Sequence, residues 1–194
     1  MRNSAKRAIA LPMAALSAVA LTGIAATSAS ASTVTSGTVT LSVNVSFLEA
    51  LAKYGVALVP SGYSSVSSTS SQVSVSYAAT GGDADVSTYS GTISYSGGIR
   101  VLDAKTYKSS AISALLFDLG DAQFDGQTAT SGSQEPLLDL AGTQSDNING
   151  STETYAASDL TLDAVGAADL NAALGTSAFV SGEDVGSFSA TWVI

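Results

Sequence analysis

Hydrophobic and polar positions alternate strictly from Gly37 to Val43, with Val39, Leu41 and Val43 on one side and Thr38, Thr40 and Ser42 on the other. A period of two puts successive side chains on opposite faces, so this segment predicts a half-buried β-strand. The period then changes. Phe47, Leu48, Leu51 and Ala52 recur at helical spacing, Ser46-Phe47-Leu48-Glu49 matches the capping box S-x-x-E, and Glu49 and Lys53 form an i,i+4 pair. Gly55 suits a left-handed helix stop, so the pattern predicts a short α-helix over 47–54. A strand over 56–59 follows and is expected to stop at Pro60.

The Ser-rich stretch 64–71 reads as a mobile loop. Strands are predicted over 72–78 and 90–95, with the chain turning at Gly81-Gly82-Asp83 between them. Gly97-Gly98 marks a tight turn or bulge, and 99–102 with 105–113 reads as a hairpin around Asp103-Ala104. Further strands are expected over 115–119 and 122–124. Residues 137–140 read as a short strand or turn, and Asp146 to Gly150 as a loop. Asp159 to Leu162 is a strand, Asp163 is placed to cap a second helix over 164–174, and Gly175 closes it. Head and tail thus share an order of strand, helix, Gly and apolar run, as an old duplication would leave. Many short strands with only two helices give a mainly β fold, an antiparallel β-sandwich or rolled barrel.

Composition narrows the function. The chain has neither histidine nor cysteine. That excludes a Ser-His-Asp triad, a thiol nucleophile, a Cys/His zinc site and a covalent haem link. Arg2, Lys6 and Arg7 precede the Ala- and Leu-rich stretch 8–26, and Ala29-Ser30-Ala31 fits a signal-peptidase site. The expected organisation is a signal peptide over 1–31 and a single secreted β-rich domain over 32–194, with no stable membrane insertion after cleavage. After Ala31 four basic residues, Lys53, Arg100, Lys105 and Lys108, stand against sixteen acidic ones, a net charge of −12. Phosphate backbones repel such a surface, so nucleic acid is not an expected partner.

The remaining chemistry is that of carboxylates, hydroxyls and tyrosine. Glu49, Glu135, Glu153 and Glu183 are the candidates for the facing acid pair of a glycosidase, but nothing pairs any two, and a single Trp gives little aromatic lining for a sugar. Asp118, Asp121 and Asp125 cluster, and Asp146-Asn-Ile-Asn-Gly150 adds amide oxygens, yet neither run has calcium-loop spacing. No phosphate-binding glycine loop is present. The seven tyrosines read as cross-strand packing residues, or as a face for sugars or for ferric haem. The reading is therefore of a protein that is not an enzyme, without a catalytic or metal site.

The strand leading into Ser46-Phe47, the segment Gly91-Thr-Ile-Ser-Tyr-Ser-Gly-Gly98-Ile, and the tail Leu160-Thr-Leu-Asp-Ala-Val-Gly-Ala-Ala with Gly182 and a last strand resemble the HtaA-type, haem-transport-associated domain of secreted actinobacterial proteins. The resemblance implies a β-rich fold with two short helices. It also implies haem held by the Tyr of S-F-x-x-Y, supported by that Ser and by a His from elsewhere. Ser46 and Phe47 match, but Ala50 stands at the Tyr position and no His exists; Tyr54 is the substitute within reach. The expectation is a secreted, non-enzymatic surface or extracellular binding or structural protein with no cofactor. Under the alternative, Ser46 and Tyr54 bind haem or another small ligand. A third reading is a cell-wall or carbohydrate-binding module, with the wall or another surface protein as partner.

Overall fold

The computed structural model describes residues 32–194; the predicted signal peptide lies outside them. Eleven strands and two helices follow in the order β1 (Ser36–Asn44), α1 (Val45–Tyr54), β2 (Val56–Ser61), β3 (Ser65–Ser68), β4 (Gln72–Asp85), β5 (Ser90–Tyr95), β6 (Gly98–Asp103), β7 (Lys108–Asp118), β8 (Gln123–Thr128), β9 (Gln134–Asn149), β10 (Thr152–Leu162), α2 (Ala164–Leu174) and β11 (Asp184–Val193). All ladders are antiparallel. Following the pairings β1-β4-β5-β7-β8-β9-β10-β11 returns to β1, so eight strands close a barrel. The rolled barrel is thus the correct member of the predicted pair.

Two strands change partner along one edge, and this opens the barrel wall. The start of β4 pairs with β3 (Ser65↔Ser76 to Ser68↔Val73), whereas its later half pairs with β5. Likewise β7 pairs with β6 up to Ile112 and with β5 from Leu116 onward. A register shift marks each changeover, between Ala79 and Gly81 in β4 and between Ser113 and Leu116 in β7. Bulges bend and re-aim a strand, which is what a branch requires. In β7 the bulge contains Ala114 at φ 49°, an exposed left-handed residue without glycine's freedom. One half of the wall is therefore continuous through β5. The other half is a notch between β3 and the β6–β2 pair, and no ladder joins β2 to β3.

Both helices sit at the notched end. Val43 and Leu160 are each paired with Gly186, and α1 and α2 follow β1 and β10 directly beyond those positions. The second helix begins as predicted: Asp163 accepts a hydrogen bond from Val165 N–H at 2.6 Å, and Gly175 closes the helix at φ 68°. Gly166 lets α2 lie on β9, since a Cβ there would stand 2.9 Å from Leu137 Cα. The first helix starts differently. Asn44 is its N-cap and makes no capping bond, and the helix includes Val45 and Ser46, so Ser46-x-x-Glu49 is not a capping box here. Asn44 Nδ2 instead donates to Asp184, and its amide oxygen accepts from Gln72, which ties three strand ends together.

Five further expectations are corrected. Pro60 does not end β2, because β2 is an edge strand whose ladder partner is β6 alone and a missing N–H is tolerated there. The Ser-rich loop contains β3, and Gly81-Gly82 continue β4 through its bulge instead of turning. Residues 134–149 form one long strand that pairs with β10 across the predicted Asp146–Gly150 loop. Head and tail share their order but not their pairing: β10 and β11 are neighbours, whereas β1 and β2 are not.

The continuous half of the barrel is filled with rings. Phe117 packs on Phe188 with centroids 4.8 Å apart, on Tyr155 at 5.5 Å and on Trp192 at 6.4 Å. Eight strands leave an interior about wide enough for side chains to fill, and here they fill it. At this end Glu153, itself buried, accepts a hydrogen bond from the buried Val86 N–H at 3.0 Å, tying β10 to the chain just beyond β4. Truncating Glu153 removes the acceptor of a buried amide and leaves a void. Glu153→Ala should lower stability by about 3 kcal/mol. Glu153→Gln keeps an acceptor and should cost under about 1 kcal/mol in the same urea titration; equal losses for the two variants would show that the bond is not an anchor.

Candidate functional site

Beneath the notch the filling changes from aromatic to aliphatic and becomes incomplete. An open hollow of about 140 Å³ has Leu41 and Val43 of β1 as its floor, with Leu58 and Pro60 of β2 on one side. Val66 of β3 and Val73, Val75 and Tyr77 of β4 form the other side, Ile99 of β6 closes the back, and Leu48 of α1 reaches in from above. Val66 is 47 % exposed and marks the mouth. A second, smaller hollow of about 70 Å³ shares Leu41, Val43, Leu58 and Ile99 and runs inward to Phe124, Leu170 of α2 and Phe179.

The polar side chain on these walls is Tyr77, and its hydroxyl is already engaged, donating to Gly98 C=O at 3.2 Å. Burial pushes its pKa up to about 12. A tyrosine raised above the usual 10 favours the folded state up to that pH, and the contribution is lost as pH rises from about 10 to about 12.

The residues singled out in the sequence lie elsewhere. Ser46 is exposed in the first turn of α1. Tyr54, in the last turn, is 46 % exposed, with Lys105 Nζ 6.0 Å from its ring centroid. Neither lines either hollow, whereas their helix neighbours Phe47 and Leu48 do. Ala50 is half-buried. The seven tyrosines divide. Tyr77, Tyr95 and Tyr155 are core residues, while Tyr54, Tyr63, Tyr89 and Tyr107 are exposed on four separate turns or helix ends.

The four candidate glutamates are equally dispersed. Glu49 faces solvent on α1, Glu153 is the buried anchor on β10, Glu183 is half-buried before β11, and Glu135 on β9 meets Asp169 of α2. Desolvation and the Asp169 carboxyl push Glu135 above the usual range, while Thr128 donates to Asp169 at 2.8 Å. No two of the four glutamates face a common cleft. The acidic runs make local contacts: Asp118, at the end of β7, accepts from the Gly120 and Asp121 amides, and Asp146, within β9, accepts from the Tyr89 hydroxyl. Among the described residues no three His, Cys, Asp or Glu side chains are grouped to hold a metal.

Asp125, on β8, departs from this solvated pattern. One carboxylate oxygen is buried without a partner. Burial, with the charges of Asp118, Asp121 and Asp163, raises its pKa to about 6. A carboxyl raised in the fold stabilises it at low pH and loses that contribution as pH climbs from about 4 to about 6. Asp125→Asn should therefore raise stability at pH 7 by about 1 kcal/mol, discounting for partial exposure, and give no gain at pH 4; thermal melts at the two pH values check it.

No family model matches this chain, and no curated protein does. Among solved structures, the C-terminal domain of HtaA from Corynebacterium glutamicum is similar over 83 % of this chain and 98 % of that one, with a TM-score of 0.57 and 14 % identity. A domain-swapped dimer of a variant of that domain is similar over 77 % and 91 %, with a TM-score of 0.46 and 12 % identity. The first likeness establishes an HtaA-like fold. None of the described residues forms a helix long and apolar enough to cross a membrane. The hollow itself was not legible in the sequence, because its walls come from elements scattered along most of the chain.

Proposed function

We propose that this is an exported, non-enzymatic binding domain of HtaA-like fold, acting at the cell surface or outside the cell, whose ligand is apolar and enters the notch between β2 and β3. The observation that carries the reading is the lining. Acid–base or nucleophilic chemistry needs a polar group within hydrogen-bond reach of the substrate, and the hollow offers none that is free. What an apolar, underfilled space supplies is burial, worth roughly 25 cal/mol for each Å² of apolar surface removed from water.

The export half rests on the first 31 residues, with their basic start, apolar stretch and Ala-x-Ala end. The haem alternative would have to operate through Ser46 and Tyr54 on the surface of α1, away from the apolar space. The two hollows are well below the roughly 300 Å³ at which pockets for drug-sized ligands begin. The cell-wall alternative would have only the four dispersed tyrosines for stacking.

A neutral fluorophore and hemin separate these readings. N-phenyl-1-naphthylamine should bind the purified protein saturably at one site, with affinity reduced at least tenfold by Leu58→Trp, which fills the hollow. Hemin should give only diffuse scattering, the same for wild type and Tyr54→Ala. A sharp Soret shift at one equivalent of hemin, abolished by Tyr54→Ala, would establish the haem reading instead.

A further inference from the structure

Resting on that reading, we infer that the ligand is a free neutral amphiphile: one aliphatic chain in the hollow and an uncharged, hydrogen-bonding head group at the notch. The shape argues for a chain. The two hollows, about 140 and about 70 Å³, share Leu41, Val43, Leu58 and Ile99, so they adjoin along those residues, the first at the mouth and the second toward α2. A haem-sized macrocycle or a bilayer lipid's paired chains would need more volume than these hollows hold. Water is a poor occupant of the interior, because a buried water needs two to four polar partners and the one hydroxyl on these walls is spent on Gly98. Apolar cavities of about 150 Å³ stay dry and accept small hydrocarbons.

The head group follows from what surrounds the mouth. From Val56 to Thr80, the stretch that forms β2, β3 and the first half of β4, there is not one charged residue. Ser64, Ser65, Ser67 and Ser68 are exposed along one lip. The facing edges of β2 and β3 carry no ladder, so backbone N–H and C=O groups are free to meet a ligand there. Arg100 on β6 is paired in register with the outward-facing Val59 and is exposed on the outer side of that strand pair, away from the hollow. Among the described residues no basic side chain lines the hollow to meet a carboxylate, and a net charge of −12 after Ala31 repels one. Among the described residues no carboxylate lines it to meet an ammonium either.

Competition against N-phenyl-1-naphthylamine with three eight-carbon chains tests the head group. 1-Octanol should displace the fluorophore, with octanoate and octyltrimethylammonium at least tenfold weaker. Val66→Lys, at an exposed position of the mouth, should bring octanoate level with or ahead of octanol without depending on how the core tolerates bulk. Val59→Trp, on the outer face of β2, should change nothing. Neutral phosphatidylcholine vesicles should not retain the protein. Equal displacement by all three head groups, an octanoate affinity unmoved by Val66→Lys, or retention on the vesicles would overturn the inference. In those cases saturable fluorophore binding blocked by Leu58→Trp would leave the apolar-hollow reading standing; no fluorophore binding would remove both.

Discussion

The divided edge of β7 is the constraint on which the rest of the structure depends. One strand must close the barrel against β8 while serving β6 with the first half of its other edge and β5 with the second. A single ladder edge cannot hold two partners at one position, so the partners succeed each other along the strand and a bulge at 113–115 accommodates the change. The same exchange on β4, from β3 to β5, faces it across the wall. Closure at one end and opening at the other are therefore one geometric fact. The short 62–64 connection joins β2 to β3 and sets the depth of the notch.

The packing follows this division. Where the wall is continuous, Phe117, Phe188, Tyr155 and Trp192 fill the barrel ring against ring. Where it parts, Leu41, Val43, Leu58 and Ile99 leave space that no side chain occupies. A core is normally filled to the density of an organic crystal, and underfilling costs stability. The unfilled space lies beside the one opening in the wall and beneath both helices. Paired polar groups elsewhere serve the fold: Glu153 holds the Val86 amide, and Tyr155 donates to Gln144 at 2.6 Å.

The elements most legible in the sequence were those whose local signals agree with their tertiary surroundings. Asp163 and Gly175 bracket α2 as written, and the alternation in 37–43 and 90–95 reports strands buried on one face. Where one face is not buried, the pattern is silent. The far half of β9, Ala141 to Asn149, is polar and exposed and owes its conformation to β10 rather than to its own sequence. Ser-rich β3 is likewise held by β4. Gly81-Gly82 carries the signature of a turn but supplies a bulge, a distinction set by the branch and not by the dipeptide. Ser46 fits a capping box whose role lapses because β1 runs straight into α1 two residues early. The candidate site depends on five strands and a helix meeting at one end of a barrel, which no local spacing encodes; Ser46 and Tyr54 marked the neighbouring helix surface instead.

Methyl-resolved NMR of the Leu, Val and Ile side chains, recorded while 1-octanol is added, tests the central claim most directly. Binding beneath the notch predicts saturable shifts at Leu41, Leu58, Val66 and Ile99, with Val39 and Val86 in the filled half unmoved. Shifts confined to surface methyls such as those of Leu102 and Val165, or no saturable shift at all, would contradict it.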